Sequence, residues 1–157
     1  LASGAMPALS ELEFGLIMAT HAFQRWIVRG MAAAGAPGLQ PLDVLVLHTV
    51  NHRGRAKTQA DICLVLNVED THLVTYAIRK LAKAGWVATG KAGKEKTVTI
   101  TPEGEQLCER YREIREALLV GNVSKLSIDP AAMSALAGEL RALSGQYDQA
   151  TRGAASL

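Results

Sequence analysis

The sequence predicts a mainly α chain with one small β-hairpin. Three observations carry that expectation. Residues 58–84 hold two apolar stripes at helical spacing, interrupted at Asn67. Directly after Gly85 the period shortens to the alternation of strands. Long heptad-like stripes occupy both ends of the chain, outside this central block. Helix, helix, hairpin in that order is the grammar of a winged helix-turn-helix, here flanked by dimerisation helices. The expected parts are an N-terminal dimerisation helix at 8–36, the winged helix-turn-helix at 40–101, and C-terminal dimerisation helices at 102–151. With 157 residues, 48% of them hydrophobic, the chain is long enough to bury an ordinary core.

The first helix is expected over 10–34. Ser10 and Glu13 have the spacing of a capping box, and Leu12, Leu16, Phe23, Trp26 and Ile27 recur on one broad apolar face. Gly35 to Gly38, with Pro37 inside, ends it. A second helix opens at Pro41, a favoured first helical position, and turns Val44, Leu45, Leu47, His48 and Val50 inward until Gly54. A short strand is expected at 55–57.

The third helix, 58–66, begins at a Thr58 cap whose hydroxyl accepts from the Asp61 amide. Ala60, Ile62, Cys63, Val65 and Leu66 are its expected buried set. In the fourth helix Val74, Ala77, Ile78 and Leu81 form the inward stripe, spaced three and four, and Gly85 stops it. Strands at 86–89 and 97–101 follow, with Val98 and Ile100 alternating against Thr97 and Thr99, and with Gly90 and Gly93 in the connection. Thr101 and Pro102 start a fifth helix whose apolar positions are Leu107, Tyr111, Ile114 and Leu118. Asp129 and Pro130 start the last one, with Met133, Leu136, Leu140, Leu143 and Tyr147 as a seam. The tail after Gln149 is expected to fray.

Turning the fourth helix over puts His72, Tyr76, Arg79 and Lys83 outward, with Thr71 at its start and Thr75 and Lys80 on the flanks. Such a face suits a major groove, where hydrogen-bonding groups meet base edges and cations meet phosphate. The connection between the two strands carries Lys91, Lys94 and Lys96, a basic tip able to neutralise phosphates. Charge agrees with this. Residues 41–101 hold nine Lys and Arg against five acids, while the rest of the chain holds eight against ten. Positive charge is concentrated where a polyanion would lie.

Other chemistry is poorly supported. His48 and His52 stand four apart on a helix, but no further ligand lies at a matching spacing, so neither a metal nor a cofactor is expected. There is no phosphate-cradling glycine loop and no nucleophile elbow, and an enzyme is not expected. Cys63 and Cys108 fall at positions that read as buried and inert, a redox-sensing thiol being the alternative. No apolar run approaches the roughly 20 residues that span a bilayer, so a cytoplasmic protein without membrane contact is expected.

These elements together resemble the MarR-type winged-helix transcription regulators. The likeness rests on PLDVLVLHTV at 41–50, TQADICLVL at 58–66, LVTYAIRKLAKAGWV at 73–87 and VTITPEGEQL at 98–107, and covers roughly the whole chain. It implies a homodimer on pseudo-palindromic double-stranded DNA, most often a repressor, released when a small and often phenolic effector enters the cleft between dimerisation and DNA-binding regions. Trp26 and His21 are candidates to border that cleft, a core role being the favoured alternative for Trp26. The short strand at Arg55 to Lys57 would pair with the wing, and Arg55 and Lys57 join the DNA-contact set. Leu12, Leu16, Phe23, Leu118, Met133, Leu136, Leu140, Leu143 and Tyr147 are the expected dimer contacts. Two departures stand out: Glu69 and Asp70 front the recognition helix, and the wing tip has Lys and Gly where the family usually has Asp and Arg. They leave open an alternative, a winged-helix dimer that docks a protein with little or no DNA binding.

Overall fold

The structure, a computed structural model, describes residues 4–157 and is mainly helical with one small antiparallel sheet. It falls into two compact units, one up to Arg115 and one from Glu116 onward. The first unit holds α1 (Pro7–Ala33), α2 (Pro41–Asn51), β1 (Lys57–Thr58), α3 (Gln59–Leu66), α4 (Thr71–Lys83), β2 (Val87–Ala92), β3 (Glu95–Ile100) and α5 (Pro102–Arg115). The helix expected over 102 onward thus contributes its first 14 residues to the winged-helix unit.

At the centre lies α2, which packs against α1, α3, α4, α5 and β3. A helix enclosed on so many sides needs apolar groups almost all round, and Val44, Val46, Leu47 and Val50 are fully buried. Val46 was not in the expected stripe. Leu45 and His48, which were, are only half-buried. Met31 of α1, Ile62 of α3, Val74 and Leu81 of α4, and Leu107 of α5 complete the solvent-free centre. Each such side chain contributes about 1.5–3 kcal/mol by leaving water.

Helix ends follow local chemistry. α1 begins at Pro7, three residues before the expected Ser10 cap, because proline's fixed φ already suits the first turn. It ends as a Schellman motif: Gly35 has φ +108° and the Ala36 amide donates to the Met31 carbonyl at 2.9 Å. α4 ends in the same way at Gly85, where the Trp86 amide reaches the Leu81 carbonyl at 3.0 Å. Thr58 caps α3 as expected. Its hydroxyl accepts from the Asp61 amide at 3.1 Å, and the Asp61 carboxylate accepts from the Thr58 amide at 2.9 Å.

The buried face of α3 is narrower than expected. Ile62 and Cys63 are buried and Leu66 half-buried, but Ala60 and Val65 face solvent. The sheet has the order β1-β3-β2, with Lys57 opposite Val98 and Val87 opposite Ile100. Both wing strands are longer than expected. Pairing runs out to Ala92 and Glu95, so the turn is only Gly93 and Lys94, and Gly90 and Lys91 belong to β2. The first strand sits at 57–58, two residues past its expected start.

The second unit opens with a π turn at Glu116–Val120, continues through the short α6 (Gly121–Ser124) and ends in α7 (Pro130–Ala154). Asp129 caps α7 by accepting from the Ala132 amide at 3.2 Å. The helix runs on through 150–154, past the point where fraying was expected. Among the described residues, none of α7 is buried.

Candidate nucleic-acid interface

The amphipathic pattern of α4 orients the site. Val74, Ala77, Ile78 and Leu81 are buried as expected, which forces His72, Tyr76, Arg79 and Lys83 outward. Tyr76 is 75% exposed. At the front of the helix, Asp70 is the cap, its Oδ1 accepting from the His72 amide at 2.9 Å. One of the two acids fronting α4 is therefore engaged with the backbone, where it also offsets the positive helix end.

Gln59, which sequence reasoning missed, ties α3 to the front of α4. Its Nε2 donates to the Thr71 carbonyl at 2.8 Å and to the Thr75 hydroxyl at 2.7 Å. Thr75 in turn donates to the Thr71 carbonyl at 3.0 Å. Thr75 is half-buried and occupied with these partners, while Thr71 is exposed. A glutamine one place after a threonine cap carries no periodic signal, so only the fold reveals its role.

Between α4 and the wing runs a groove of about 440 Å³, lined by Gln59, Thr75, Ile78 and Arg79 on one side and by Thr89 to Lys91 and Lys96 to Val98 on the other. Lys91 and Lys96 are cross-strand partners, and Arg79 faces them across the groove. Like charges placed directly opposite in a ladder repel, so this arrangement raises the local potential and suits an anion. Lys94 is exposed at the turn itself. Arg55 and Lys83 are exposed as well.

Two of the expected contact residues are placed otherwise. Lys57 is 7% exposed, and its Nζ donates to the carbonyls of Val50 at 3.0 Å, His52 at 2.5 Å and Arg55 at 3.2 Å. It satisfies carbonyls left over where α2 ends, so its ammonium is committed inside the fold and not to the surface. Lys80 stays partly exposed, yet its Nζ is bound to Asp43 Oδ2 at 2.7 Å and to the Gly38 carbonyl at 2.8 Å.

A second cavity, about 800 Å³, lies among α1, α2 and α5. Phe23, Ile27, Leu45, His48, Tyr111 and Arg112 are among its walls. His21, a candidate for such a cleft, does not line it, and Trp26 takes the core role also expected of it. Trp26 packs on Tyr111 with ring centroids 6.3 Å apart, and His21 borders a shallow groove with Arg25 and Arg29. The His48 ring lies 4.8 Å from that of Tyr111, and its Nε2 is buried without a hydrogen-bond partner. Burial lowers the His48 pKa and raises that of Tyr111. His52 is exposed, and among the described residues no group of three His, Cys, Asp or Glu side chains is arranged to hold a metal. Cys63 and Cys108 are both free and buried, and burial followed by the charge of Glu105 pushes the Cys108 thiol up to about 11. A thiol so hard to ionise is a poor nucleophile.

The family model for a winged helix DNA-binding domain matches residues 39–104, the span that contains α3, α4 and the wing. NMB1585, a MarR family regulator from Neisseria meningitidis, superposes with a TM-score of 0.71 at 17% identity over 91% of this chain and 95% of its own. The chain has the MarR-type winged-helix fold. Two further structures share that fold. A mutant MarR from E. coli, complexed with operator DNA, matches with a TM-score of 0.69 at 17% identity over 90% of this chain and 99% of that one. CouR from Rhodococcus jostii RHA1, bound to p-coumaroyl-CoA, matches with a TM-score of 0.67 at 14% identity over 90% and 95%. No curated protein matches in sequence. The matched family is described as a winged helix DNA-binding domain. No helix among the described residues is long and apolar enough to cross a membrane.

Proposed function

We propose that the protein is a homodimeric repressor that reads a pseudo-palindromic duplex with the outer face of α4 and grips the adjacent backbone in the groove between α4 and the wing. The convergence of Arg79 with the paired Lys91 and Lys96 carries this reading, because three cations around one groove are costly unless an anion fills it. His72, Tyr76 and Arg79 are the base-facing residues; Arg55, Lys83 and Lys94 add phosphate contacts. Two copies would place their recognition helices about 34–36 Å apart, one helical turn. The operator complex of the E. coli relative supports this mode of use.

Pairing of two chains would cover the apolar residues that a single copy leaves open. On α1, Leu12, Phe14, Ile17, Met18 and Phe23 are exposed and Leu16 half-buried. In the second unit Leu118, Leu136 and Tyr147 are exposed, and Met133, Leu140 and Leu143 half-buried. Patches of this kind mark an association surface. The 800 Å³ cavity would take a small effector whose entry releases DNA. The ligand-bound relative supports a fold able to hold one.

A second reading has its own observation. Leu64 is 82% exposed, Val65 and Leu73 are exposed as well, and Glu69 lies between them in sequence, a mixed apolar and acidic front suited to a protein partner. Titrating a fluorescent duplex from the promoter of its own locus separates the two. The DNA reading expects binding that weakens steeply with salt as counterions are released. Absence of binding at low salt would favour the protein-docking reading.

A further inference from the structure

We infer that Lys80, although it lies on the recognition helix, is a positioning residue that fixes how α4 is presented to the duplex and is not itself one of the DNA contacts. This deepens the DNA reading and rests on it. Thr75, Ile78 and Arg79 face the wing groove. One residue further is about 100° around the helix, so Lys80 leaves α4 on a different flank. There its ammonium bridges two fixed acceptors, the Asp43 carboxylate at 2.7 Å and the Gly38 carbonyl at 2.8 Å.

Both acceptors are themselves held. Asp43 is only 7% exposed, and the same Oδ2 accepts the Gln40 amide at 2.8 Å, closing the start of α2. Gly38 sits at φ +82°, a left-handed conformation open to glycine at little cost, in the connection between α1 and α2. The other end of that connection is tied by Arg110 of α5, whose Nε donates to the Ala34 carbonyl at 2.8 Å. Residues 34–38 are thus pinned by α5 on one side and by the recognition helix on the other. With Lys80 removed, the nearly buried Asp43 carboxylate would lose the ammonium beside it, and α4 would lose its polar tether to α2 and to the connection before it.

A phosphate contact and a tether leave different signatures, because only a phosphate contact releases counterions. Lys80→Met and Asp43→Asn should each weaken binding to the promoter duplex several-fold, up to about tenfold. Both should retain the wild-type slope of log K against log salt, whereas each lost phosphate contact lowers that slope by about 0.9. Non-specific duplex should be bound as by wild type, so the specificity ratio falls. The double variant should be no weaker than the worse single one, and the same non-additivity should appear in the Tm series measured without DNA. A reduced slope for Lys80→Met, additive effects of the two substitutions, or unchanged specificity would each overturn the inference. If wild-type protein binds no duplex, the DNA reading fails by itself, and the non-additivity of the Tm values still decides whether the tether exists. Should Lys80→Met fail to fold, Asp43→Asn decides, since it keeps the ammonium and removes only its ionic partner: lower affinity and specificity support the tether, and wild-type affinity and specificity overturn it.

Discussion

At the scale of single residues, the same side-chain type serves different ends according to where the backbone puts it. Lys57, Lys80 and Lys91 are three lysines of one basic module. One closes the end of α2 on three carbonyls, one braces α4 against Asp43, and one faces Lys96 across the wing. Sequence pattern placed all three in the expected contact set, because charge is visible in a sequence and the partner that a lysine finds in the fold is not. The reverse holds for His48. Its apolar neighbours on α2 pointed to a packed residue, and it is one, with the Tyr111 ring against it. Since burial holds its pKa below the ordinary 6.5, the folded state favours neutral imidazole and the unfolded chain takes up the proton first. Its contribution is complete above that value and is lost as pH falls below it. Denaturant unfolding at a series of pH values should show stability declining on acidification from about 6.5, and His48→Gln should decline less over the same range. Equal declines in the two proteins would exclude the imidazole as the cause.

At the scale of elements, what could be read in the sequence is what one element determines alone. The α4 stripe of Val74, Ala77, Ile78 and Leu81, the Thr58 and Asp129 caps and the Gly85 stop all depend on neighbours within a few positions, and all are found. What was misjudged depends on surroundings. Val65 looked apolar and buried, but the helices around α3 leave it 69% exposed. The wing was expected to be short because Gly90 and Lys91 are poor strand residues, yet pairing with β3 carries β2 through them. Gly104 escaped notice altogether. A Cβ there would lie 2.1 Å from the Trp86 carbonyl oxygen and 2.7 Å from Ile100 Cδ1, so α5 starts against the base of the wing only because this residue has no side chain. Gly104→Ala is expected to cost about 2–3 kcal/mol, the upper range for overpacking, because a backbone oxygen cannot move aside as a side chain can. Calorimetry should show Tm lowered by roughly 5–10 °C. Gly145→Ala in α7, with nothing near its Cβ position, is the control and should be neutral or slightly stabilising. Similar losses in both would mean that contact with Trp86 is not the reason.

At the scale of the whole molecule, the fold class and the presence of a DNA-type helix with a basic wing were legible, because amphipathic period, caps and charge distribution all point the same way. The groove was not, since it needs Arg79 and the Lys91 and Lys96 pair brought together by the register of β2 on β3. One chain leaves Phe14, Met18 and Leu136 among its uncovered apolar residues, which a second copy would bury. Leu140→Asp should therefore convert a dimer to a monomer in multi-angle light scattering, by setting a charge into the seam of α7. A dimer that survives the change would place the interface elsewhere. Whether the groove between α4 and the wing holds a nucleic-acid phosphate backbone is decided by the salt dependence of promoter-duplex binding for the Arg79→Ala, Lys91→Ala, Lys96→Ala variant beside wild type. Phosphate contacts at these three residues require much weaker binding by the variant and a slope of log K against log salt reduced by about 0.9 for each phosphate released. An unchanged slope and affinity would contradict such contacts.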